Sequence, residues 1–412
     1  MSRKLKTKVV VIGAGPAGCS ASLYLSKAGI KHIVVDKDSF PRDKICGDAL
    51  SGKVINQLEK IDESWVAEFK AKSQEFTSSW GVIFSAPDGN ELAIPFKHKP
   101  AEAKNSPGFI SKRIHFDHFL FSKLDSDYAE ILTKQKVSHV SITADNVIVG
   151  TSDYDIEAEL IISCEGTRAL VAKKYLKYSL ERQHHCAGLR AYYKGVERLN
   201  EQGFIELHFV KDALPGYFWI FPLPNGEANV GLGMLSKYVS KNKVNLKELL
   251  QEVLESAKFK DRFINAELVD DVKGWGLPLG SKRRKISGQR FLVAGDAASL
   301  IDPFTGEGIG NAMFSGKWAA QHATKAIQSK DFSPTSLAEY DKEVYRKLGN
   351  ELRVSTIMQR LIKFPWLFNW MLKKIKKNKE LRQTITFMFD DVDLRKKFSN
   401  PIFYLKILFN FK

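Results

Sequence analysis

The stretch Val9-Val-Val-Ile-Gly13-Ala-Gly15-Pro-Ala-Gly18 places four branched apolar residues directly before three spaced glycines. Branched apolar residues favour a strand that is buried on both faces, as in a parallel sheet. Glycines at this spacing allow a tight turn and the close approach of a pyrophosphate at the start of a helix. The stretch therefore predicts the strand, turn and helix of a dinucleotide-binding unit.

The residues that follow continue the same unit. We expect a helix from Pro16 to Ala28, then a strand from His32 to Val35 that ends on Asp36. An acidic residue at that point can accept hydrogen bonds from a ribose, while the helix N-terminus receives phosphates. A glycine pattern alone is often accidental. Here a strand, a helix, a second strand and a terminal acid follow one another in the expected order within 36 residues, and this order favours dinucleotide binding.

Length and composition are typical of a globular protein. A chain of 412 residues suggests two or three domains, and 44% hydrophobic and 27% charged residues are ordinary values. No secretory signal and no run of about 20 apolar residues is evident, so we expect a cytoplasmic protein. The nine histidines lack metal-ligand spacing, and we expect no metal. The cysteines, which have no C-x-x-C spacing, are Cys19, Cys46, Cys164 and Cys186.

The net charge of +16 is concentrated near the C-terminus, where residues 341–412 contain 17 Lys or Arg against 7 Asp or Glu. Within this region Phe364-Pro-Trp-Leu-Phe-Asn-Trp-Met-Leu372 runs directly into Lys373-Lys-Ile-Lys-Lys377. Aromatic residues beside lysines fit a membrane-interface anchor better than a nucleic-acid surface. Contact of residues 360–412 with the inner face of an anionic membrane is one interpretation. Ordinary helical packing with an exposed basic edge is the other.

Later segments place further chemistry-bearing residues at the ends of apolar strands or the starts of helices. Phe109 to Asp117 opens a helix with Arg113 near its start, and Arg290 to Gly295 is a buried strand followed by Asp296. An acid there can accept hydrogen bonds from a sugar-like chain. The glycines between residues 306 and 310 can present backbone N–H groups at the next helix N-terminus.

These segments resemble the landmarks of the flavoprotein class that includes p-hydroxybenzoate hydroxylase. Within that class the chain is similar to the geranylgeranyl reductase family. The family's Tyr-x-Trp-x-Phe-Pro pattern appears at Tyr217–Pro222, and eight residues then precede Gly231-Leu-Gly233. Its Lys-x-Cys-x-Gly-like loop appears as Lys44-Ile-Cys46-Gly47-Asp48, and Asp302–Ile309 matches the second flavin loop of the reductases.

The resemblance implies an α/β fold: a Rossmann-like FAD-binding domain of the p-hydroxybenzoate hydroxylase type, an inserted β-rich substrate domain and a helical C-terminal region. We assign residues 1–75, 108–180 and 276–332 to the FAD-binding domain. Residues 76–107 and 181–275 form the substrate domain, and residues 333–412 form the basic helical region.

By the same resemblance the cofactor is FAD, with a reductant that is either NADPH or a ferredoxin-like donor. Two departures from the family pattern concern this site: Cys164-Glu165-Gly166 replaces Ala-Asp-Gly, and Gly47-Asp48-Ala49 stands where many relatives have further glycines. The residues implied to contact FAD are Gly13, Gly15, Ala17, Gly18, Asp36, Cys46, Gly47, Ala49, Arg113, Val137 through its backbone, Asp296, Gly308 and Ile309.

The implied reaction is the saturation of double bonds in a polyprenyl lipid, which needs a hydride, a proton and an apolar slot. Tyr217, Trp219 and Phe221 alternate, so their rings can share one face of a strand as the wall of that slot. The same pattern also fits ordinary core residues. Cys46 is the candidate proton source or gate, and an inert buried thiol is the alternative.

Two other functions share this fold. One is a flavin monooxygenase or halogenase, and the other is a non-catalytic electron-transfer flavoprotein at a membrane. The identity of the isoprenoid, the number of bonds reduced, the electron donor and the oligomeric state stay open at the level of sequence.

Overall fold

A computed structural model describes residues 2–97, 105–378 and 382–383. Its strands are β1 (Arg3–Ile12), β2 (His32–Val35), β3 (Ala49–Leu50), β4 (Thr77–Ser79), β5 (Gly81–Ser85), β6 (Glu91–Pro95), β7 (Gly108–Ile110), β8 (Ala129–Leu132), β9 (His139–Ile142), β10 (Val147–Gly150), β11 (Tyr154–Ser163), β12 (His185–Lys194), β13 (Ile205–His208), β14 (Gly216–Pro222), β15 (Glu227–Leu235), β16 (Glu267–Leu268), β17 (Lys273–Pro278), β18 (Ser287–Gly288) and β19 (Phe291–Val293). Its α-helices are α1 (Pro16–Lys27), α2 (Gly52–Ile61), α3 (Ser64–Ala71), α4 (Arg113–Ser122), α5 (Leu170–Leu176), α6 (Ser236–Lys241), α7 (Leu246–Glu255), α8 (Lys260–Phe263), α9 (Ile309–Ser329), α10 (Pro334–Leu361) and α11 (Pro365–Lys377).

The first sheet is built around β1, which pairs in parallel with β2 on one side and β11 on the other. Its main path runs β18-β19-β11-β1-β2-β8, and the antiparallel strands β10 and β9 extend from β11. Val9, Val10 and Val11 are fully buried, as the run of branched residues predicts. This arrangement confirms the predicted α/β fold class.

Close backbone contacts hold α1 in place. A Cβ atom on Gly18 would lie 1.7 Å from the Gly13 carbonyl oxygen, so only glycine allows the helix to pack this tightly against the turn. On its other side α1 meets α9, where a Cβ atom on Gly316 would lie 2.1 Å from the Ala17 carbonyl oxygen. These contacts fix the N-terminus of α1 at the carboxyl end of β1.

The second sheet has the order β16-β12-β15-β14-β13-β5-β6, with β17 also paired to β12. Alternation along β14 gives it two different faces. Phe218 and Ile220 are fully buried in an apolar cluster that includes Leu250 of α7 and Phe259. The opposite face of β14, which bears Tyr217 and Trp219, is turned toward the first sheet and lines a cavity.

A small third sheet, β3-β7-β4, lies beside this cavity, and the C-terminal helices complete its surroundings. The Ser111 N–H, just after β7, donates to the Asp48 carbonyl and anchors the loop that precedes β3. Phe368 of α11 packs against Phe209, which follows β13, with ring centroids 4.6 Å apart. Helix α11 is thereby attached to the second sheet.

The residue pattern predicts one helix near residues 53–70 and a strand around residues 136–139, and both of these local predictions were wrong. The helix predicted near residues 53–70 is two helices, because Asp62 ends α2 in an extended conformation and its carboxylate accepts the Ser64 N–H at the start of α3. The strand predicted at 136–139 begins only at His139. The assigned domain boundaries remain a prediction. Among the helices of the described ranges, none is long and apolar enough to cross a membrane.

Candidate functional site

A cavity of about 590 Å³ runs between the first and second sheets. One end is formed by the turns that follow β1, β2 and β19, where backbone and polar groups predominate. The other end is formed by apolar side chains of the second sheet and of the segment between α10 and α11. The residues that line the apolar end include Val82, Phe84, Ile205, Leu207, Phe304 and Ile362.

The polar end begins at the turn between β1 and α1. Gly13 has a φ of +98°, and a Cβ atom there would lie 2.4 Å from the Cys164 carbonyl oxygen. Gly15 is the N-cap of α1 and offers no side-chain oxygen, so the first N–H groups of the helix have no cap from this residue. Gly13, Gly15 and Ala17 line the cavity. Gly18 does not line it, because it packs against Gly13 instead.

Asp36 lies at the end of β2 and organises this turn. Its carboxylate accepts the Ala14 N–H at 2.6 Å and the Asp38 N–H at 2.8 Å. Burial raises the pKa of Asp36, and the two N–H groups offset only part of this effect. A carboxylate so fixed has lone pairs left to accept hydrogen bonds from ribose hydroxyls.

A second helix N-terminus faces the same cavity. Gly308 is the N-cap of α9, again without a side-chain cap, and both it and Ile309 line the cavity. Asp296 lines the cavity from the turn after β19, and its carboxylate lies 3.8 Å from the Lys44 ammonium. Two helix N-termini directed at one cleft suit a ligand with anionic and electron-rich oxygens.

Arg113 at the start of α4 belongs to a buried charged cluster. Its guanidinium donates to both carboxylate oxygens of Asp117 at 2.6 and 2.7 Å, and Arg42 donates to the same carboxylate at 2.7 Å. Burial by itself raises the pKa of Asp117, but Arg113 and then Arg42 outweigh it and the pKa is lowered. Arg113 and Cys46 both line the cavity and lie near each other.

The aromatic residues of β14 form one wall of the cavity. Tyr217, Trp219 and Phe221 all line it, and neighbouring ring centroids along the strand are 6.0 and 6.2 Å apart. Space for the indole comes from β15, since a Cβ atom on Gly231 would lie 2.4 Å from Trp219. The spaced glycines of the Gly-x-Gly pattern thus lie next to the Trp219 ring.

An asparagine joins this wall to the cysteine loop. Asn229 Oδ1 accepts the Trp219 indole N–H at 2.8 Å. Its Nδ2 donates to the Cys46 carbonyl at 2.8 Å and to Asp48 Oδ2 at 2.7 Å. The Tyr192 hydroxyl donates to the same Asp48 oxygen at 2.7 Å.

Sequence reasoning did not assign a role to Asn229, Tyr192 or the Asp48 side chain. One signal was available: Asn229, Gly231 and Gly233 alternate along β15 and therefore share one face. An asparagine on a face of glycines that lies against aromatic rings is a candidate for a polar bridge.

The residues present fit FAD. The polar end has a glycine turn after β1, an acid at the end of β2 and two helix N-termini capped by glycine, which together match the sugar and phosphate groups of a dinucleotide. The predicted cofactor residues that line the cavity are Gly13, Gly15, Ala17, Asp36, Cys46, Gly47, Ala49, Arg113, Val137, Asp296, Gly308 and Ile309.

Residues 6–315 match the family model of an FAD binding domain. A digeranylgeranylglycerophospholipid reductase of Methanosphaera stadtmanae is 30% identical over 355 residues, which is 84% of this chain and 82% of that protein. A crystal structure from Thermoplasma acidophilum, described as geranylgeranyl bacteriochlorophyll reductase-like, is similar with a TM-score of 0.79 at 23% identity and covers 92% of this chain and 96% of that one. A flavin-dependent brominase is similar with a TM-score of 0.77 at 20% identity, covering 93% of each chain.

Proposed function

Because the chain belongs to the geranylgeranyl reductase family of FAD-dependent oxidoreductases, we propose that it saturates carbon–carbon double bonds of a polyprenyl lipid. The observation that carries this proposal is the continuity of the cavity, which extends from the dinucleotide-binding turns to an aromatic wall and an apolar end. An isolated alkene offers no polar handle, so an apolar slot is what can hold it in position.

Bound FAD in its reduced form supplies a hydride, and this chain must bind, orient and shield the reacting groups. Gly13, Gly15 and Asp36 would hold the nucleotide half of the cofactor. Gly308 and Ile309 would meet the flavin half at the N-terminus of α9. The apolar side chains that line the far end of the cavity offer water few hydrogen-bonding partners there.

The aromatic wall orients the substrate. Tyr217 is fixed because its hydroxyl donates to the Thr305 carbonyl at 2.5 Å, and Trp219 is fixed by Asn229. Rings that cannot rotate hold a flexible hydrocarbon in one position, which reduces the entropy cost of reaching the reactive geometry. Cys46, with its thiol beside Arg113, lies in the loop facing the wall and acts as a gate between the two ends of the cavity.

The substrate class is a geranylgeranyl-type phospholipid. The Methanosphaera relative, named for such a lipid, supports this choice, as does a cavity that combines an apolar end with cationic residues near its polar end. The likeness to the brominase, at 20% identity, concerns the fold alone. Electrons come from NADPH that binds transiently or from a ferredoxin-like protein.

Such a lipid resides in membranes, and α11 supplies a surface for peripheral contact with an anionic bilayer. Its buried side, Phe368 and Leu372, faces the protein, while Trp366 is 69% exposed. Lys374, Lys376 and Lys377 lie in its last turn. Exposed aromatic and basic residues on one helix favour the interface of an anionic membrane. Residues 379–381 and 384–412 of the region assigned to this contact lie outside the described residues.

Reoxidation of the flavin tests the proposal. The holoprotein is reduced with dithionite under anaerobic conditions and mixed with an unsaturated geranylgeranyl phospholipid or with its saturated counterpart. The expected result is return of the oxidised flavin absorbance with the unsaturated lipid only. Absence of reoxidation with both lipids, together with rapid oxygen-dependent halogenation or hydroxylation of an added substrate, would contradict the proposal.

A further inference from the structure

We propose that the carboxyl group of Asp48 donates the proton that completes reduction of the double bond. This inference rests on the proposed function and concerns the same cavity. Saturation of an alkene forms two C–H bonds. The hydride forms one of them, so the second requires a proton donor close to the bound alkene.

The backbone of Asp48 is fixed in a buried position. The residue has no solvent exposure and lines the cavity. Its φ of +69° is in the left-handed region, which an aspartate adopts only at some cost in conformational energy. The Ser111 N–H donates to its carbonyl at 3.0 Å and helps to hold this conformation.

Its hydrogen bonds identify the oxygen that would carry the proton. Both protein donors, Tyr192 Oη and Asn229 Nδ2, donate to Oδ2. Oδ1 is buried and has no hydrogen-bond partner among the described residues. A buried carboxylate with an unpaired oxygen is costly, whereas a neutral acid with its O–H on Oδ1 leaves Oδ2 as the acceptor of both bonds.

The charged and titratable groups around Asp48 come from three elements. From β12, Tyr192 donates to the carboxyl group, and Arg190 stacks on the Tyr192 ring with its guanidinium carbon 4.0 Å from the centroid. Arg113 of α4 and Cys46 of the same loop are also near. On the far side of the Tyr192 ring, the Lys112 ammonium lies 4.7 Å from the centroid. Burial raises the pKa of Asp48 to about 6, and the two hydrogen bonds and then the arginines offset only part of this effect.

The loop that bears Asp48 lies against the aromatic wall. A Cβ atom on Gly47 would lie 3.0 Å from Phe221 Cε2 and 3.8 Å from the Trp219 indole nitrogen. The Asn229 amide group links the two sites, because it donates a hydrogen bond to the Asp48 carboxyl group and accepts one from that same indole nitrogen. A double bond held against the wall therefore lies beside this loop, and Oδ1 of Asp48, which has no exposed surface, reaches it through a rotation of the side chain.

The O–H bond at Asp48 Oδ1 breaks, and the proton forms a C–H bond with one alkene carbon while the hydride forms a C–H bond with the other. The carboxylate that remains regains a proton from solvent when the cavity opens to release the product. No further oxidant or reductant is needed beyond the two electrons of the hydride.

The test compares Asp48→Asn, which keeps the shape of the side chain but cannot donate a carboxyl proton, with Asp341→Asn as a matched control. Asp341 is a half-buried acid in α10 that accepts the Ile286 N–H and does not line the cavity. Single-turnover lipid reduction by the reduced holoprotein is measured against pH, together with FAD content and the infrared band of protonated carboxyl groups.

For the wild type and the control, we expect a rate that declines above pH about 6 and a carboxyl band that disappears over the same range. Asp48→Asn should retain FAD, lack this component of the band and reduce the lipid at least about a hundred-fold more slowly. Tyr192→Phe, which keeps the acid but removes a hydrogen bond that lowers its pKa, should shift the decline to higher pH.

Each contrary outcome has a distinct meaning. An unchanged rate and pH profile in Asp48→Asn would overturn the proton-donor role while leaving the proposed function intact. Loss of bound FAD in this variant would overturn it too, since Asp48 would then anchor the cofactor. A wild-type protein that reduces no isoprenoid lipid would overturn the proposed function itself.

Discussion

The Trp219 indole nitrogen donates a 2.8 Å hydrogen bond to Asn229 Oδ1, and this contact ties the aromatic wall to the loop of Cys46 and Asp48. Asn229 is fully buried, and its amide group makes three hydrogen bonds with partners in two different segments, β14 and the loop of Cys46 and Asp48. The position of the wall relative to the loop therefore depends on one side chain.

Replacing Asn229 with leucine, which is similar in size but cannot form hydrogen bonds, should lower lipid turnover about tenfold or more because the wall and loop lose their shared support. The free energy of unfolding should fall by about 1–3 kcal/mol for each buried group left unpaired. Turnover, FAD content and urea unfolding check these expectations. Asn242→Ala, an exposed site at the end of α6, is the control and should change none of them. Normal turnover in Asn229→Leu would show that the bridge is dispensable.

Gly18→Ala should abolish FAD retention, because the new Cβ atom would overlap the Gly13 carbonyl and push α1 away from the turn. The expected loss of stability is about 3 kcal/mol or more, since backbone atoms must move to relieve the overlap. Gly349→Ala in α10 is the matched control. Its Cβ atom would meet only Tyr345 Cβ at 3.7 Å, and alanine should stabilise this helix by about 1 kcal/mol. The ratio of flavin to protein absorbance after purification measures how much FAD each variant retains. A full complement of FAD in Gly18→Ala would show that α1 does not need this close packing to bind FAD.

Asp48 should make the stability of the protein depend on pH. Its folded-state pKa of about 6 lies above the ordinary value of 3.8, so the folded protein favours the protonated acid. The resulting stabilisation is complete below the ordinary pKa and is lost as the pH rises through about 6. A shift of this size corresponds to about 3 kcal/mol. Relative to Asp48→Asn, the wild type should lose about this much unfolding free energy between pH about 4 and about 7 in urea titrations. A pH-independent difference would mean that Asp48 is ionised throughout this range.

Exposed aromatic residues at the start of α11 should control membrane binding. Phe364 and Trp366 are 53% and 69% exposed, and replacing both with serine should weaken binding to vesicles containing anionic lipid about tenfold or more. Leu180→Ser is the control, because Leu180 is 67% exposed on a different segment. Vesicle sedimentation at two salt concentrations measures the effect. Equal binding by the double variant would refute the assigned surface.

The dinucleotide-binding unit could be predicted because its features are local. Val9 to Gly18 and the acid at Asp36 follow one another within two strands and a helix, so periodicity and spacing suffice. The aromatic wall could be predicted for the same reason, since alternation along β14 puts Tyr217, Trp219 and Phe221 on one face.

The hydrogen-bonded group of Trp219, Asn229, Asp48 and Tyr192 could not be predicted, because its members come from segments that are far apart in sequence. Asp48 is separated from Asn229 by 181 positions and from Tyr192 by 144. Only the packing of the second sheet against the cysteine loop brings them together, and no local pattern encodes that contact. The break between α2 and α3 was missed for a different reason: Asp62 ends α2 and accepts the Ser64 N–H without a nearby glycine or proline to mark the boundary.

The most direct test of the central claim is the mass of an isoprenoid lipid after anaerobic incubation with the dithionite-reduced holoprotein. We expect a gain of two hydrogen atoms for each double bond reduced with the wild type, and a much slower gain with Trp219→Ala while its FAD stays bound. An unchanged lipid mass in the presence of fully reduced, flavin-loaded protein would contradict the assignment of this cavity to alkene reduction.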